Sequence, residues 1–320
     1  MTSVNQVTNA TLGTWDTAGL EGLHTIRLVA RRSDGPTATD TVCVRIGSSL
    51  GQQPQHTAET WDLGAGDELA VNVATGNAII SHPLVSLPVR GGALPLTLTY
   101  NSLSDENLGL GTGWQLNLQR RLVLNLNGTV TFVDGDGARH RFSDPVTNGS
   151  ITTYTRPASL YATLSKDANA PVEYTLTYRD GSLDRFDIAG SIGRLERSVD
   201  RHGNAIVLTY GTANQIAQVT DPASRAIDFT WDGSGRLTSL TDWAWIDANG
   251  VVQSTASGSR RTYRFFHAAG GLLAGWSEPL NTAGSCPTIT PDPYLTCLTY
   301  TDDLLSAVTK TQTVTTFDAQ

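Results

Sequence analysis

The sequence predicts an all-β protein built from stacked β-hairpins, and three observations carry that prediction. First, one phrase recurs: "GRLERSVD" at Gly193–Asp200, "NQIAQVTD" at Asn214–Asp221 and "GRLTSLTD" at Gly235–Asp242, a spacing of 21 residues. Second, the chain holds 31 glycines in 320 residues and abundant threonine, the balance expected of short strands joined by tight turns. Third, no stretch shows the sustained i, i+3, i+4, i+7 apolar stripe of an amphipathic helix.

The first element is a hairpin. "HTIRLVARR" alternates Ile26, Leu28 and Ala30, the turn "SDGP" follows, and "TATDTVCVRI" alternates Val42, Val44 and Ile46. Cys43 is out of phase with its neighbours and points to the other face. A lone hairpin cannot cover its apolar face. Either it docks on the rest of this chain or its partner strands lie upstream; the segment resembles the last strands of bacterial immunoglobulin-like extracellular modules, so residues 1–46 are expected to be the C-terminal hairpin of such a β-sandwich, truncated upstream. Residues 47–66, rich in Gly, Gln and Ser without a period, read as a linker.

Residues 67–150 read as an opening β-meander. Leu94, Leu96, Leu98 and Tyr100 share one face of "LPLTLTYNS". "DGDGAR", Asp134–Arg139, superficially suggests a calcium loop but lacks the bidentate Glu such a loop requires, and Asp-Gly between alternating strands is a hairpin signal.

Residues 151–320 read as divergent repeats. Leu195, Ile216 and Leu237 are spaced by 21, as are Asp200, Asp221 and Asp242. The triads Ile206/Leu208/Tyr210 and Ile227/Phe229/Trp231 keep the same spacing, and Tyr263/Phe265/His267 follow after an insertion of 15 residues. Insertions fall near 244–260 and 280–294. Each unit is a strand, a turn, and a second strand ending in an aromatic. One such unit cannot bury its face alone, so a fixed period implies stacking. The repeated aspartates sit in "VDRHG", "TDPAS" and "TDWAW", where a short carboxylate bonds the backbone of a turn.

The repeat phrases and their aromatic-ended strands resemble the Rhs/YD-repeat family, which includes bacterial toxin-bearing Rhs proteins and teneurins. Here the strand ends are Tyr210-Gly211 and Trp231-Asp232 where the family typically has Tyr-Asp. The segment Val71–Leu118, with "ATGN", "LPLTLTYNS" and the Gly-x-Gly-Trp of Gly111–Trp114, is similar to the segment that opens the repeats in bacterial members. The resemblance spans about 67–310. It implies a spiralling β-shell of hairpins, here its opening part, that encloses a C-terminal toxin or effector domain of a longer secreted or cell-surface chain. The family's shell-closing motif, self-cleavage site and toxin domain have no counterpart in these residues.

No catalytic, cofactor or metal residues are nominated. The histidines have no zinc spacing, and neither a Gly-x-Ser-x-Gly elbow nor a phosphate-binding glycine loop is present. The net charge of −8 without basic clusters argues against nucleic acid, and no apolar run is long enough for a membrane span. The N-terminus lacks the basic and apolar regions of a signal peptide. Two features stay open as sites. Trp243 and Trp245 flank an insertion and share a face if extended, which makes them candidates for an exposed contact. Cys286 and Cys297 flank "CPTITPDPYLTC" and are candidates for a disulfide. The competing readings are a non-catalytic wall segment, an adhesion or carbohydrate-binding module that meets glycans or surface proteins, and a hydrolase with scattered carboxylates.

Overall fold

The computed structural model describes residue 15 and residues 22–31, 34–46, 50–53, 56–64, 66–169, 171–211, 213–246, 252–253, 259–280, 285–286, 294–310 and 313–316. Among them every regular element is a strand. The first two, β1 (Gly22–Arg31) and β2 (Thr37–Ile46), form the expected hairpin, in register from Gly22↔Ile46 to Arg31↔Thr37. Ile26, Leu28 and Val42 of this two-stranded sheet are exposed.

A five-stranded antiparallel sheet follows in sequence order: β3 (Ala58–Gly64), β4 (Asp67–Asn72), β5 (Ala78–Val89), β6 (Gly92–Asn101) and β7 (Trp114–Leu116). Part of the expected linker is thus a strand. β3 pairs Ala58↔Asn72 through Asp62↔Glu68, and it is an exposed edge, which explains why it shows no burial period. β6 buries Leu94, Leu96, Leu98 and Tyr100 as its alternation requires.

The remaining strands make one continuous ribbon. Its first eight are β8 (Arg121–Leu124), β9 (Val130–Val133), β10 (Arg139–Asn148), β11 (Ile151–Thr155), β12 (Ala162–Asp167), β13 (Glu173–Tyr178), β14 (Leu183–Ala189) and β15 (Ile192–Val199). Each pairs antiparallel with the next, and β15 returns to β8 through Ile192↔Val123, Gly193↔Leu122 and Arg194↔Arg121. This closes a ring. The opening meander is therefore split at Gln119–Arg120, its first part in the separate sheet and its second in the ring.

The ribbon does not stop at closure. β15 is long enough to use one flank twice: residues 192–194 pair with β8, and residues 197–199 pair with β16 (Ala205–Tyr210). From β16 the ribbon runs on through β17 (Ile216–Thr220), β18 (Ala226–Trp231), β19 (Leu237–Ile246), β20 (Val252–Gln253), β21 (Ser259–His267), β22 (Leu273–Ser277), β23 (Leu295–Thr301), β24 (Leu304–Lys310) and β25 (Thr313–Thr316). The fork at β15 turns a ring into a spiral. Much of the two insertions lies outside the described residues.

One contiguous core joins these parts. Phe132, Phe142, Leu176, Phe186 and Leu195 fill the ring, and Leu208, Val219, Ile227, Leu237 and Leu240 continue the apolar face along the ribbon. The leucines of β6, with Trp114 and Leu116, belong to the same cluster, so the five-stranded sheet packs on the inner face of the ribbon. Leu195 is fully buried at the fork. Leu195→Ala is expected to cost about 2–5 kcal/mol, read as a lower denaturation midpoint. A loss below about 1 kcal/mol would show that the fork is loosely packed.

Candidate functional site: the bulged wall and its inner sheet

The repeat encodes a bulge. In each hairpin the aromatic-ended strand pairs in register until its last residue, then skips one residue opposite. Thr209↔Gln218 is followed by Tyr210↔Ile216, and Thr230↔Ser239 by Trp231↔Leu237. Phe266↔Gly275 is followed by His267↔Leu273, and Thr299↔Ala307 by Tyr300↔Leu305. The same step, Arg185↔Arg197 to Phe186↔Leu195, occurs in the ring. The extra residue always follows the apolar anchor of the recurring phrase. Bulges bend a strand and sharpen its twist, so the recurring skip bends each of these hairpins in the same way.

A bulge disrupts the ladder locally, and the terminal aromatic compensates. The Tyr210 hydroxyl donates to the Leu195 carbonyl at 2.7 Å, and the Trp231 indole N–H to the Ile216 carbonyl at 2.8 Å, each spanning 15 residues. His267 Nε2 donates to the Leu237 carbonyl at 2.8 Å across 30 residues, the insertion accounting for the added length. Burial raises the Tyr210 phenol, which keeps it protonated as a donor. The aromatic is therefore both core packing and backbone cap.

The repeated aspartates staple the turns. Asp221 Oδ1 accepts the N–H groups of Ala223 and Arg225, while its Oδ2 pairs with the Arg225 guanidinium. Asp200 does the same with His202 and Asn204, and Asp232 with Ser234 and Arg236. Burial acts upward on the Asp221 carboxyl, but Arg225 and the two N–H groups outweigh it and hold the group below its ordinary range. Asp242 stands where an insertion interrupts the turn. Its Oδ1 still takes the Ala244 N–H, but its cation, Arg261, comes from β21. It is fully buried, and that burial pushes its carboxyl up despite Arg261.

The inner sheet is bolted to these turns. Gly91 at the β5–β6 turn lies against the Asp200 and Asn204 side chains, and Arg225 Nη2 donates to the Pro88 carbonyl at 2.6 Å. On the other rim, the Leu237 N–H donates to the Gly109 carbonyl at 2.8 Å. A Cβ on Gly109 would meet the Trp231 ring at 2.5 Å, and one on Gly111 would meet the Leu273 N at 2.5 Å. Both glycines have positive φ, so the loop before Trp114 needs them for conformation and for close approach. Further along, Trp114 Nε1 donates to Tyr300 Oη, the Leu305 N–H donates to Tyr100 Oη, and Lys310 pairs with buried Asp67, which also holds His82 at 2.6 Å.

The residues nominated as sites fare differently. Trp243 is half-buried, packs against the core and lies under the Arg225 guanidinium at 4.5 Å, so it is wall packing rather than a free contact. The pairing shifts between Thr241↔Thr262 and Trp245↔Arg260, so simple alternation does not put Trp243 and Trp245 on one face. The Trp245 side chain lies outside the described residues. Cys286 and Cys297 form a disulfide with Cα atoms 5.8 Å apart, tying the loop before β23 to that strand. Among the described residues no group of three or more His, Cys, Asp or Glu is placed to hold a metal ion, and no helix is long and apolar enough to cross a membrane.

Reading the sequence missed a cavity of about 470 Å³ at the fork. There the loop 106–109 and the start of β8 face the β16–β17 turn and the β18–β19 turn, with Arg194, Tyr210 and Trp231 between them. Only the spacing of Tyr210 and Trp231 hinted at it, and that spacing is equally a packing signal.

A curled wall of bulged hairpins with a sheet fastened inside it defines a shell-type repeat protein. A family profile described as a domain of unknown function (DUF6531) matches residues 69–142, and one described as RHS Repeat matches residues 210–244. The second match runs from the Tyr210 cap through the Trp231 cap and its bulge. The chain is also similar to the tRNA nuclease WapA of Bacillus subtilis (strain 168) and the tRNA(Glu)-specific nuclease WapA of Bacillus subtilis subsp. natto (strain BEST195). Identity is 34% over 160 residues in each, covering 50% of this chain and 6% of the relative. Among solved structures it is similar to that titled TcdB2-TccC3, with TM-score 0.42 and 17% identity over 85% of this chain and 17% of that one. These matches support the Rhs/YD-repeat resemblance over residues 69–142 and 210–244. It spans about 6% of the length of the curated relatives it matches.

Two measurements check this site. Tyr210→Phe leaves the Leu195 carbonyl without its cap and is expected to cost about 1–3 kcal/mol, whereas the same change at exposed Tyr161 should cost almost nothing. Equal losses at the two positions would refute the capping role. The Asp221 contribution is present above the ordinary carboxylate value of 3.8 and lost as pH falls through the lower folded value. Asp221→Asn should therefore destabilise the chain at pH 7 and much less near pH 2, read by denaturant titration at both values. An equal loss at both would remove the ionic part of the staple.

Proposed function

We propose that this chain is the opening, non-catalytic part of an Rhs-type shell, with further repeats and a C-terminal toxin or effector domain supplied by the rest of a longer secreted or cell-surface protein. The single observation that carries the reading is the fork at β15. One flank of this strand both closes a first turn on β8 and launches β16 and its successors. A ribbon with that start can lengthen by adding hairpins, each bulged in the same sense, and so enclose a volume. The inner sheet shares the core of the ribbon, and the turns of successive repeats hold it.

The physical function is exclusion. A wall whose backbone groups are paired or capped leaves no edge along its length for a protease or a strand-seeking chain to invade. The disulfide between Cys286 and Cys297 suits an oxidising compartment, in keeping with secretion. The nuclease activities in the names of the relatives are theirs, and the reading assigns none to these residues.

The test is limited proteolysis of the full-length product that contains this chain. In the native protein the C-terminal domain should resist trypsin while exposed loops are cut. Gly111→Ala strains the backbone and drives a Cβ into β22, at about 2 kcal/mol or more, and should open the sealed end. The C-terminal domain is then expected to be digested at least severalfold faster with the repeat wall still folded. A C-terminal domain digested at the same rate in native and variant protein would reject enclosure by this end.

A further inference from the structure

We propose that the cavity at the β15 fork is a binding site for a neutral saccharide of one or two hexose units. The inference does not depend on what the shell encloses. The cavity, about 470 Å³, lies within the range of small-ligand sites. It exists because β8 and β16 share one flank of β15 and must diverge, so a wedge is left where the sheet branches.

Four amides line the wedge: Gln119 is engaged at both ends, by the Leu116 N–H and the Leu108 carbonyl, and the other three are each anchored by one end. Asn214 Oδ1 accepts from Arg194 Nη1 at 2.7 Å, which directs its Nδ2 donor away from that pair. Gln215 Nε2 donates to the Gly235 carbonyl at 3.0 Å, leaving Oε1 as an acceptor. Asn107 Oδ1 accepts the N–H groups of Gly109 and Gly111, leaving its Nδ2 as a donor. Among the described residues, no partner engages these three free ends. Two fixed donors and one fixed acceptor suit the alternating donor and acceptor character of adjacent hydroxyls. Anchoring also lowers the entropy lost on binding.

The apolar part comes from Trp231, Ile192 and Ile216. Trp231 is rigid, since its N–H is committed to the Ile216 carbonyl and its ring edge abuts Gly109. A sugar ring offers C–H groups to such a surface and hydroxyls to the amides. Charge selects against an anion. The three lining arginines are already paired, Arg120 with Asp184, Arg121 with Glu106 and Arg194 with Asp187. An acidic ligand would find no unpaired cation among them, and it would meet the Glu106 carboxylate.

The experiment uses the full 320-residue chain. Saturation-transfer NMR and calorimetry are run against methyl hexosides, neutral disaccharides, longer neutral oligosaccharides and a sialylated control. A neutral mono- or disaccharide is expected to bind and the sialylated control not to. Longer oligomers that bind more tightly would identify a polymer end as the source rather than free sugar. Asn214 has φ +60°, so Asn214→Gly removes the amide without straining the turn. Ala213→Trp fills the mouth without removing a hydrogen bond. Both should weaken binding about tenfold or more, Ala213→Trp with the melting temperature unchanged and Asn214→Gly with only the small fall expected from losing the Arg194 hydrogen bond. The proposal is overturned if no neutral saccharide binds at 10 mM (about the weakest affinity worth measuring). It is equally overturned if only the sialylated ligand binds, or if neither variant weakens binding.

Discussion

The structure depends on one recurring compromise between a strand ladder and its curvature. A flat ribbon of hairpins could not return to its own first strand. Skipping one residue after the apolar anchor bends the β14–β15 hairpin, where β15 meets β8, and the same skip recurs in the repeat hairpins beyond it. The skip disturbs the pairing at a buried position, where an unsatisfied carbonyl is costly. Tyr210, Trp231 and His267 remove that cost by reaching back to Leu195, Ile216 and Leu237. The aromatic at the strand end and the anchor of the preceding phrase are thus two halves of one device, and the period of the sequence is the distance between successive devices.

The departures from this device are informative. At Tyr300 the phenol accepts from Trp114 Nε1 on the inner sheet. Tyr100 and the Leu305 N–H make a second link nearby. The wall therefore changes partner as it advances, from capping itself to gripping the sheet inside. The glycine loop before Trp114 performs the matching task on the other side: Gly109 and Gly111 bring its backbone against two successive repeats, closer than any side chain would allow. The segment that opens the family's repeats and the repeats themselves are two surfaces of a single interface.

Much of the fold was legible in the sequence, because hairpins, alternation and turn chemistry are local. Leu94 to Tyr100 lie buried on one face, the "DGDGAR" stretch is a turn, and the spaced aspartates bond turn backbone. The linker was misjudged because β3 is an exposed edge strand without a burial period. Trp243 was misjudged because its cover, Arg225, belongs to a different turn, and because a pairing shift breaks the alternation on which the shared face with Trp245 was argued. The cavity at the fork left no mark of its own, since its walls come from four separate segments whose residues also serve as packing or turns.

By itself the sequence determined the class of the wall: strands from alternation, hairpins from their turns, stacking from the fixed period, and a family resemblance from two stretches of motif. Those are properties of a few adjacent residues and repeat wherever the residues repeat. The tertiary structure alone decided that the ribbon closes one turn at β15 and continues, that the earlier sheet lies inside it, and that a wedge opens between β8 and β16. These outcomes are set by the summed twist of many paired strands and by contacts between segments far apart along the chain, and no single repeat contains that sum.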